Sequence, residues 1–252
     1  MLKEERLQRI LKMLEQSDII KVADVMKELQ VADMTVRRDL QALEEAGLLV
    51  RLHGGATKAG YKELSNTEKQ SLNQKEKKAI AKQAASLIHD HDTVFLGPGT
   101  TNESMHAYIQ ASDVKIVTTS LPIFMKFKGD SRFELLLAGG EYRERTGSFI
   151  GALTRQLLGA LRFNKAFIGT NGIHGGEVTA ANEDEGEGHR IVCKRTEQLY
   201  ITADHSKFGV SAFYTFCRLQ EATAVITDNL LDKNTLNELK NHTQVFSAQM
   251  PE

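Results

Sequence analysis

Residues 32–40 read Ala32-Asp33-Met34-Thr35-Val36-Arg37-Arg38-Asp39-Leu40, and two apolar positions, Val36 and Leu40, stand one helical turn apart. Continued to Leu43, the spacing becomes i, i+4, i+7, one apolar face of a helix, and Gly47 stands where a C-terminal glycine belongs. The same period occurs twice upstream, at Leu7, Ile10, Leu11 and Leu14 and again at Val22, Val25, Met26 and Leu29. Three short helices are therefore predicted over roughly residues 3–47. Gln30-Val31-Ala32-Asp33 is the turn between the second and third, with Asp33 as N-cap. Residues 48–52 read as a strand, His53-Gly54-Gly55 as a turn and Ala56-Thr57 as the start of a second strand. The prediction is a winged helix-turn-helix over residues 1–58.

With Val36 facing the core and 100° per residue, Met34 and Arg38 fall on the opposite side of the third helix. Gln41 lies close by, and Thr35 and Arg37 flank them. Such a face fits the major groove of double-stranded operator DNA: Arg suits guanine edges and phosphates, while Thr and Gln reach base edges. Arg51, His53 and Lys58 on the wing add candidate contacts to the backbone or minor groove. Asp39 turns back toward the core edge, where an ion pair within the domain is expected. Formal charges in residues 1–58 cancel, so on these grounds alone a three-helix protein-interaction module remains open.

The whole chain has 252 residues, 41% hydrophobic and 26% charged, with a formal net charge of −1. Those values describe a soluble globular protein of one large or two modest domains and exclude a uniformly basic nucleic-acid coat. No apolar run approaches the ~18 residues of a membrane span. Cys193 and Cys217 lack a CxxC arrangement and read as ordinary packed thiols. With no disulfide framework and a charged N-terminus, the cytoplasm is the expected compartment.

Residues 59–78 turn polar and lose apolar periodicity, so a linker is predicted there, ahead of a second domain at 79–252. Ile80, Ala84, Leu87 and Ile88 form a helical face. Short apolar runs follow at 93–96, 115–118, 134–137, 166–168, 199–202, 224–227 and 244–246, interleaved with helical segments. Buried parallel strands have this character, so the second domain is expected to be α/β.

Gly97-Pro98-Gly99-Thr100-Thr101 follows one of those strands and precedes an expected helix at 102–109. A strand-loop-helix junction offers an anion backbone N–H groups, and Thr100 and Thr101 add hydroxyls. It lacks the P-loop lysine and the dinucleotide spacing, so ATP and NAD are poor candidates and no cofactor is expected. Taken alone, a Gly-Pro-Gly turn is more often simply a tight turn. Thr119, Ser120, Glu141, Arg143, Asn171 and Lys207 lie at other strand ends, where ligands gather in open α/β sheets. Lys207 and Arg143 are the candidate phosphate partners, and Asn171 and Glu141 the candidates for sugar hydroxyls. The acidic run Glu183, Asp184, Glu185 and Glu187 suits a hard cation, but Asn182 as N-cap and Glu185 at N3 favour an ordinary helix start. Scattered histidines show no zinc-ligand spacing, and no metal site is expected.

Arg6, Ile10 and Leu14, the run Ala32 to Leu40, and Leu52-His53-Gly54-Gly55-Ala56 together resemble the N-terminal signature of the DeoR family of bacterial transcriptional regulators. The resemblance runs through nearly the whole chain. It implies a C-terminal sugar-phosphate sensor with the fold of ribose-5-phosphate isomerase and CoA transferase, and raises the loop 97–101 and Lys207 as effector contacts. Within the family, Gly97 to Thr101, Leu161-Arg162-Phe163, Asp204 to Lys207 and Phe216 to Leu219 are most similar to the members that govern lactose utilisation. That similarity implies tagatose 6-phosphate as effector; a single short winged domain makes few contacts, so a homodimer or homotetramer on repeated half-sites is expected. The rival reading is a sugar-phosphate isomerase, which needs a carboxylate to move a proton between carbons. The apparent counterpart segment, Thr170-Asn171-Gly172-Ile173-His174, contains none.

Overall fold

The computed structural model describes residues 2–16, 19–46, 48–52, 55–58 and 64–250. The chain divides into two units, residues 1–62 and 63–252. In the first, α1 (Lys3–Gln16), α2 (Val22–Leu29) and α3 (Asp33–Glu45) enclose a core of Ile10, Leu14, Val25, Leu29, Val36, Leu40 and Leu43. These are the residues of the three helical stripes, each hidden because it lies on the single apolar face of its helix. The strands β1 (Ile19–Lys21), β2 (Leu49–Leu52) and β3 (Gly55–Lys58) form an antiparallel sheet in the order β1-β3-β2. Three residues long, β1 left no periodicity to read. Ala32, rather than Asp33, occupies the N-cap of α3. Asp33 is instead the first helical residue, and its carboxylate accepts from Arg37 Nε at 2.6 Å. Gly47, His53 and Gly54 lie outside the described residues.

The second unit begins with α4 (Asn66–Gln70) and α5 (Gln74–Ala85). Residues 66–78, expected to be a linker, are thus largely helical and belong to this unit. The helical face at Ile80 and Ala84 marked the second half of α5, whereas α4 escaped notice because it has no buried residue and forms through a capping box, Ser65 with Glu68. The polar start of α5 likewise hides a stripe, Lys77, Ile80, Ala81 and Ala84, whose first member is charged.

Seven strands form one parallel sheet: β4 (Thr93–Leu96), β5 (Val114–Thr118), β6 (Phe133–Leu137), β9 (Phe163–Gly169), β12 (Thr196–Thr202), β14 (Ala224–Asp228) and β15 (Gln244–Ala248). Each contains one of the seven short apolar runs. Their order is β15-β14-β12-β9-β4-β5-β6. Alternate residues enter two cores: Val94, Leu96, Phe167 and Ile226 pack under α5 and α7 (Leu121–Phe127), while Phe95, Ala166, Ile168 and Val225 pack under α8 (Ala152–Ala160), α9 (Glu183–Lys194) and α10 (Lys233–Lys240). Burial on both faces is why these strands read as unbroken apolar runs.

Two smaller pieces sit beside the main sheet. One is a hairpin of β7 (Glu141–Arg143) and β8 (Ser148–Ile150); the other is an antiparallel sheet in the order β10-β11-β13, from Gly172–His174, Glu177–Ala180 and Tyr214–Arg218. The helix expected at 102–109 is instead a four-residue helix, α6 (Thr100–Glu103), followed by a 3-10 turn at Met105–Ala107. No described helix is long and apolar enough to cross a membrane.

Candidate DNA interface and candidate effector site

Helix α3 turns Val36, Asp39, Leu40 and Leu43 inward. Asp39 is 2% exposed and accepts from Arg6 Nε at 2.7 Å and from an Arg6 terminal nitrogen at 3.1 Å. The expected internal ion pair of Asp39 is therefore present, and it ties α1 to α3. Outward, Met34 is 61% exposed, and Arg37 and Arg38 are exposed; Thr35 and Gln41 are half-buried. Arg51 on β2 reaches back to donate to the Gln41 side-chain oxygen, and its backbone N–H donates to Glu44 at 2.9 Å. Gln41 also donates to Glu45 at 2.9 Å. Lys3, Arg37, Arg38, Gln41 and Arg51 border one shallow depression. Basic side chains thus concentrate on one face although the formal charges of residues 1–58 cancel. Lys3, from the opposite end of the unit's sequence, is a member that helical periodicity did not find. His53 lies outside the described residues.

In the second unit the chain runs outward from β4 through β5 to β6 on one side, and later from β9 through β12 to β15 on the other. The strand order therefore reverses between β4 and β9, and a crevice opens beyond their carboxyl ends. Asn102, fully buried, seals its floor. Its Nδ2 donates to the carbonyls of Gly97 and Phe167, both at 3.0 Å, and its Oδ1 accepts from Thr202 at 3.0 Å. One side chain thus binds the ends of β4, β9 and β12. Gly97 donates its backbone N–H to Phe167 O at 2.9 Å, and a Cβ there would press on the same carbonyl at 3.2 Å. Gly99 takes φ +141°, a conformation that glycine accepts readily.

The crevice holds a cavity, partly open to solvent, lined by Gly99, Thr100, Thr101, Asn171 and Lys207 among the expected residues. Asn171 is fixed by a hydrogen bond from Ala181 N–H to its Oδ1 at 3.1 Å. The other expected residues lie elsewhere. Gly97 is beneath the loop, bound to β9. Ser120 is fully buried and caps α7 by accepting from Ile123 N–H. Thr119 lines a smaller adjoining cavity. Glu141 is exposed on the hairpin, and Arg143 stands 3.6 Å from Glu185 rather than on the cavity wall. Because β7 pairs with β8 and does not join the main sheet, Glu141 lies out on the hairpin, while Arg143 sits behind the cavity-lining Glu185 and Thr146.

Sequence reasoning missed Lys69, Lys77, Glu185, His189 and the inward role of Asp204, all of which line the larger cavity. Lys77 is 7% exposed, and its Nζ donates to Lys69 O. Burial, joined by the like charges of Lys207 and Lys69, lowers its pKa, against the pull of Asp204 and Glu103. Asp204 Oδ1 accepts from Asn73 Nδ2 at 2.9 Å, from Ser206 N–H at 3.0 Å and from the Ser206 hydroxyl. Burial alone raises the Asp204 pKa, but these hydrogen bonds and Lys207 outweigh it and leave the carboxyl below its ordinary value. Glu185 Oε1 accepts from Thr146 at 2.5 Å and Ser148 at 3.0 Å, and its Oε2 from Asn182 at 3.1 Å. Asn182 caps α9 as expected, yet Glu185 is more than a helix-start residue: it faces the cavity. Charge on an otherwise apolar stripe was the available signal for Lys77. Glu185 and His189, one turn apart on α9, had none beyond that spacing. Cys193 and Cys217, which carry no spacing motif, do meet: a hydrogen bond between them, with burial, raises the Cys217 thiol far above its ordinary value.

The chain belongs to the DeoR family of regulators: residues 6–59 match the DeoR-like helix-turn-helix domain and residues 72–229 the DeoR C terminal sensor domain. It is 40% identical to the lactose phosphotransferase system repressor of Streptococcus mutans over 98% of this chain and 100% of that protein. It is 38% identical to the repressor of the same name from Lactococcus lactis subsp. lactis, over 98% of this chain and 99% of that one. Among solved structures, ribose 5-phosphate isomerase A from Methanocaldococcus jannaschii aligns at 17% identity and a TM-score of 0.40, covering 54% of this chain and 55% of that one.

Proposed function

We propose that this chain is a transcriptional repressor of a sugar-utilisation operon, released from double-stranded operator DNA when its second unit binds a phosphorylated sugar. The observation that carries the effector half is the gathering of Lys69, Lys77 and Lys207 at one cavity, with Lys77 buried against its own pKa. Clustered like charges of this kind are unfavourable until an anion arrives, and a phosphate supplies compact charge with several acceptor oxygens. The short α6 contributes little dipole, so the lysines and the Thr100 and Thr101 hydroxyls are the phosphate partners. Tagatose 6-phosphate is the favoured effector, as the resemblance to the family members that govern lactose utilisation implies.

Met34, Thr35, Arg38 and Gln41 of α3 are assigned to the major groove, with Arg37, Arg51 and Lys3 toward the backbone. His53 is retained as a candidate wing contact. A unit this small makes few base contacts, so a homodimer or homotetramer on repeated half-sites is assigned, acting in the cytoplasm. Residues 1–58 form the DNA-reading domain in this reading, and the connector shortens to about 59–65 because α4 and α5 belong to the sensor.

Binding without turnover is favoured over isomerisation. The cavity does contain two carboxylates, Glu185 and Asp204, supplied from outside the 170–174 segment. A proton-moving base needs a pKa near the working pH and a lone pair aimed at a carbon acid. Asp204 is held below its ordinary value, and three hydrogen bonds converge on its Oδ1. Both oxygens of Glu185 already accept hydrogen bonds.

The test is fluorescence anisotropy of the full chain on DNA from upstream of its own operon, at stated salt, with a panel of sugar phosphates. Saturable specific binding reversed by one of them is expected. Absence of specific DNA binding, together with turnover of an aldose or ketose phosphate, reverses the assignment.

A further inference from the structure

His189 stands on α9 one helical turn after Glu185, and its side chain borders both the larger cavity and the smaller one beside it. The side chain is 9% exposed and is packed edge-on against Phe216, ring centroids 5.0 Å apart. Its Nδ1 is sealed from solvent, yet has no hydrogen-bond partner. Only two buried side-chain polar atoms among the described residues share that condition, the other being the Thr227 hydroxyl, which lines neither cavity. Buried nitrogens are nearly always paired, so an orphan in a side chain that borders both cavities points to a partner that comes with the ligand as the ring turns to meet it.

The electrostatic surroundings separate this corner from the lysines. Lys77 responds to Asp204, Lys207, Lys69 and Glu103, whereas the charge acting on His189 is that of Glu185. Burial keeps the imidazole neutral against that carboxylate. A neutral imidazole carries one donor and one acceptor, the complement of a sugar hydroxyl and a poor match for phosphate. The adjoining cavity is lined by Phe95, Phe149 and Leu158 together with Thr119, Thr154 and the Arg155–Asp184 ion pair, a mixture of apolar and polar surface that suits the carbon skeleton and hydroxyls of a polyol.

We propose that His189 is a specificity-determining residue of the effector site, pairing through its ring nitrogens with the hydroxyl-bearing part of a phosphorylated polyol whose phosphate lies among Lys69, Lys77 and Lys207. This rests on the sensor reading above and adds to it a division of labour: lysines for charge, His189 for the carbon chain. Glu185 is the positioning residue, locked by Thr146, Ser148 and Asn182 so that α9 presents the imidazole at one place.

Titration calorimetry of the full chain with D-tagatose 6-phosphate and, separately, with inorganic phosphate tests the division. His189→Leu is expected to weaken the sugar phosphate about tenfold, the worth of one hydrogen bond, while leaving inorganic phosphate unchanged. His189→Asn places a polar group near the position of Nδ1 and is expected to restore most of the loss. The unliganded Leu variant should melt no lower than the parent, since it removes a buried unpaired nitrogen. Sugar-phosphate affinity unchanged in the Leu variant overturns the proposal while leaving the sensor reading standing. Parallel loss of both probes in the Leu and Asn variants also overturns it, by showing that the ring merely supports the cavity. A parent protein that binds neither probe overturns the sensor reading and this inference together.

Discussion

Lys77 carries a cost in the unliganded protein, being buried with its pKa lowered. Its folded pKa lies below the ordinary 10.5, so between those two values the unfolded chain holds more protons than the folded one. Stability therefore rises with pH across that window, and the penalty is fully present below it. Lys77→Met is expected to stabilise the unliganded protein by ~1 kcal/mol at neutral pH, in urea unfolding. The advantage should shrink as pH climbs toward 10.5, and binding of tagatose 6-phosphate should be lost at every pH. On α3, Arg38 has no ion pair drawing it from the outward face among the described contacts, whereas Arg37 is engaged by Asp33. Arg38→Ala should cost ~1–3 kcal/mol of operator affinity if the side chain reads a base, measured by anisotropy with unchanged thermal unfolding. Arg38 and Asp39 were legible in the sequence because a single helix fixes their directions. Lys77 was not, since nothing local says that a charge on an apolar stripe faces a cavity built by strands far away in the chain.

At the scale of elements, α9 is placed by a close approach. A Cβ on Gly186 would stand 2.2 Å from Cδ1 of Tyr214 on β13, well inside contact distance. That ring is held by a hydrogen bond to Glu187 and by Arg190 over its face. Gly186→Ala is therefore expected to push α9 outward, at a cost of ~1–3 kcal/mol in thermal unfolding, and to weaken sugar-phosphate binding by displacing Glu185 and His189 together. The seven strands of the main sheet were each visible as short apolar runs, because burial on both faces leaves no polar alternation to confuse them. The hairpin of β7 and β8 and the sheet β10-β11-β13 were not. Their strands run from three to five residues, too few to establish a period. That gap accounts for Glu141 and Arg143 being assigned to the cavity: both were placed by the rule for parallel strand ends, and their strand belongs to a hairpin. Helix α4 was lost for a different reason, having no buried face at all.

For the molecule as a whole, the two units have separate cores, and on the proposed function the ligand acts on the larger one. Calorimetry of the full chain with tagatose 6-phosphate should raise the transition of the larger unit, by about 2.7 kcal/mol at a hundred times Kd. The transition of the smaller unit should stay where it was without ligand. A shift in the smaller unit alone would place the effector there and remove the crevice from consideration. The two-unit plan and both fold classes were legible from patterning, since helical period and short apolar runs are properties of local sequence. The cavity was legible only in part. The loop 97–101 and Lys207 could be found from the rule for strand ends, while α5 and α9 reach the same space by routes that no local pattern reveals.

The pairing of β4 with β9 also sets a timetable. Val94 bonds alongside Lys165 and Leu96 alongside Phe167, so the crevice between them has no walls until most of the second unit has been made and threaded into register. The first unit closes on neighbours in sequence, α1, α2, α3 and a short wing. Contacts between near neighbours form quickly, and non-local parallel pairing is slow. During synthesis, which delivers the N-terminal unit first, the part that reads DNA is complete while the part that answers to sugar is still being assembled.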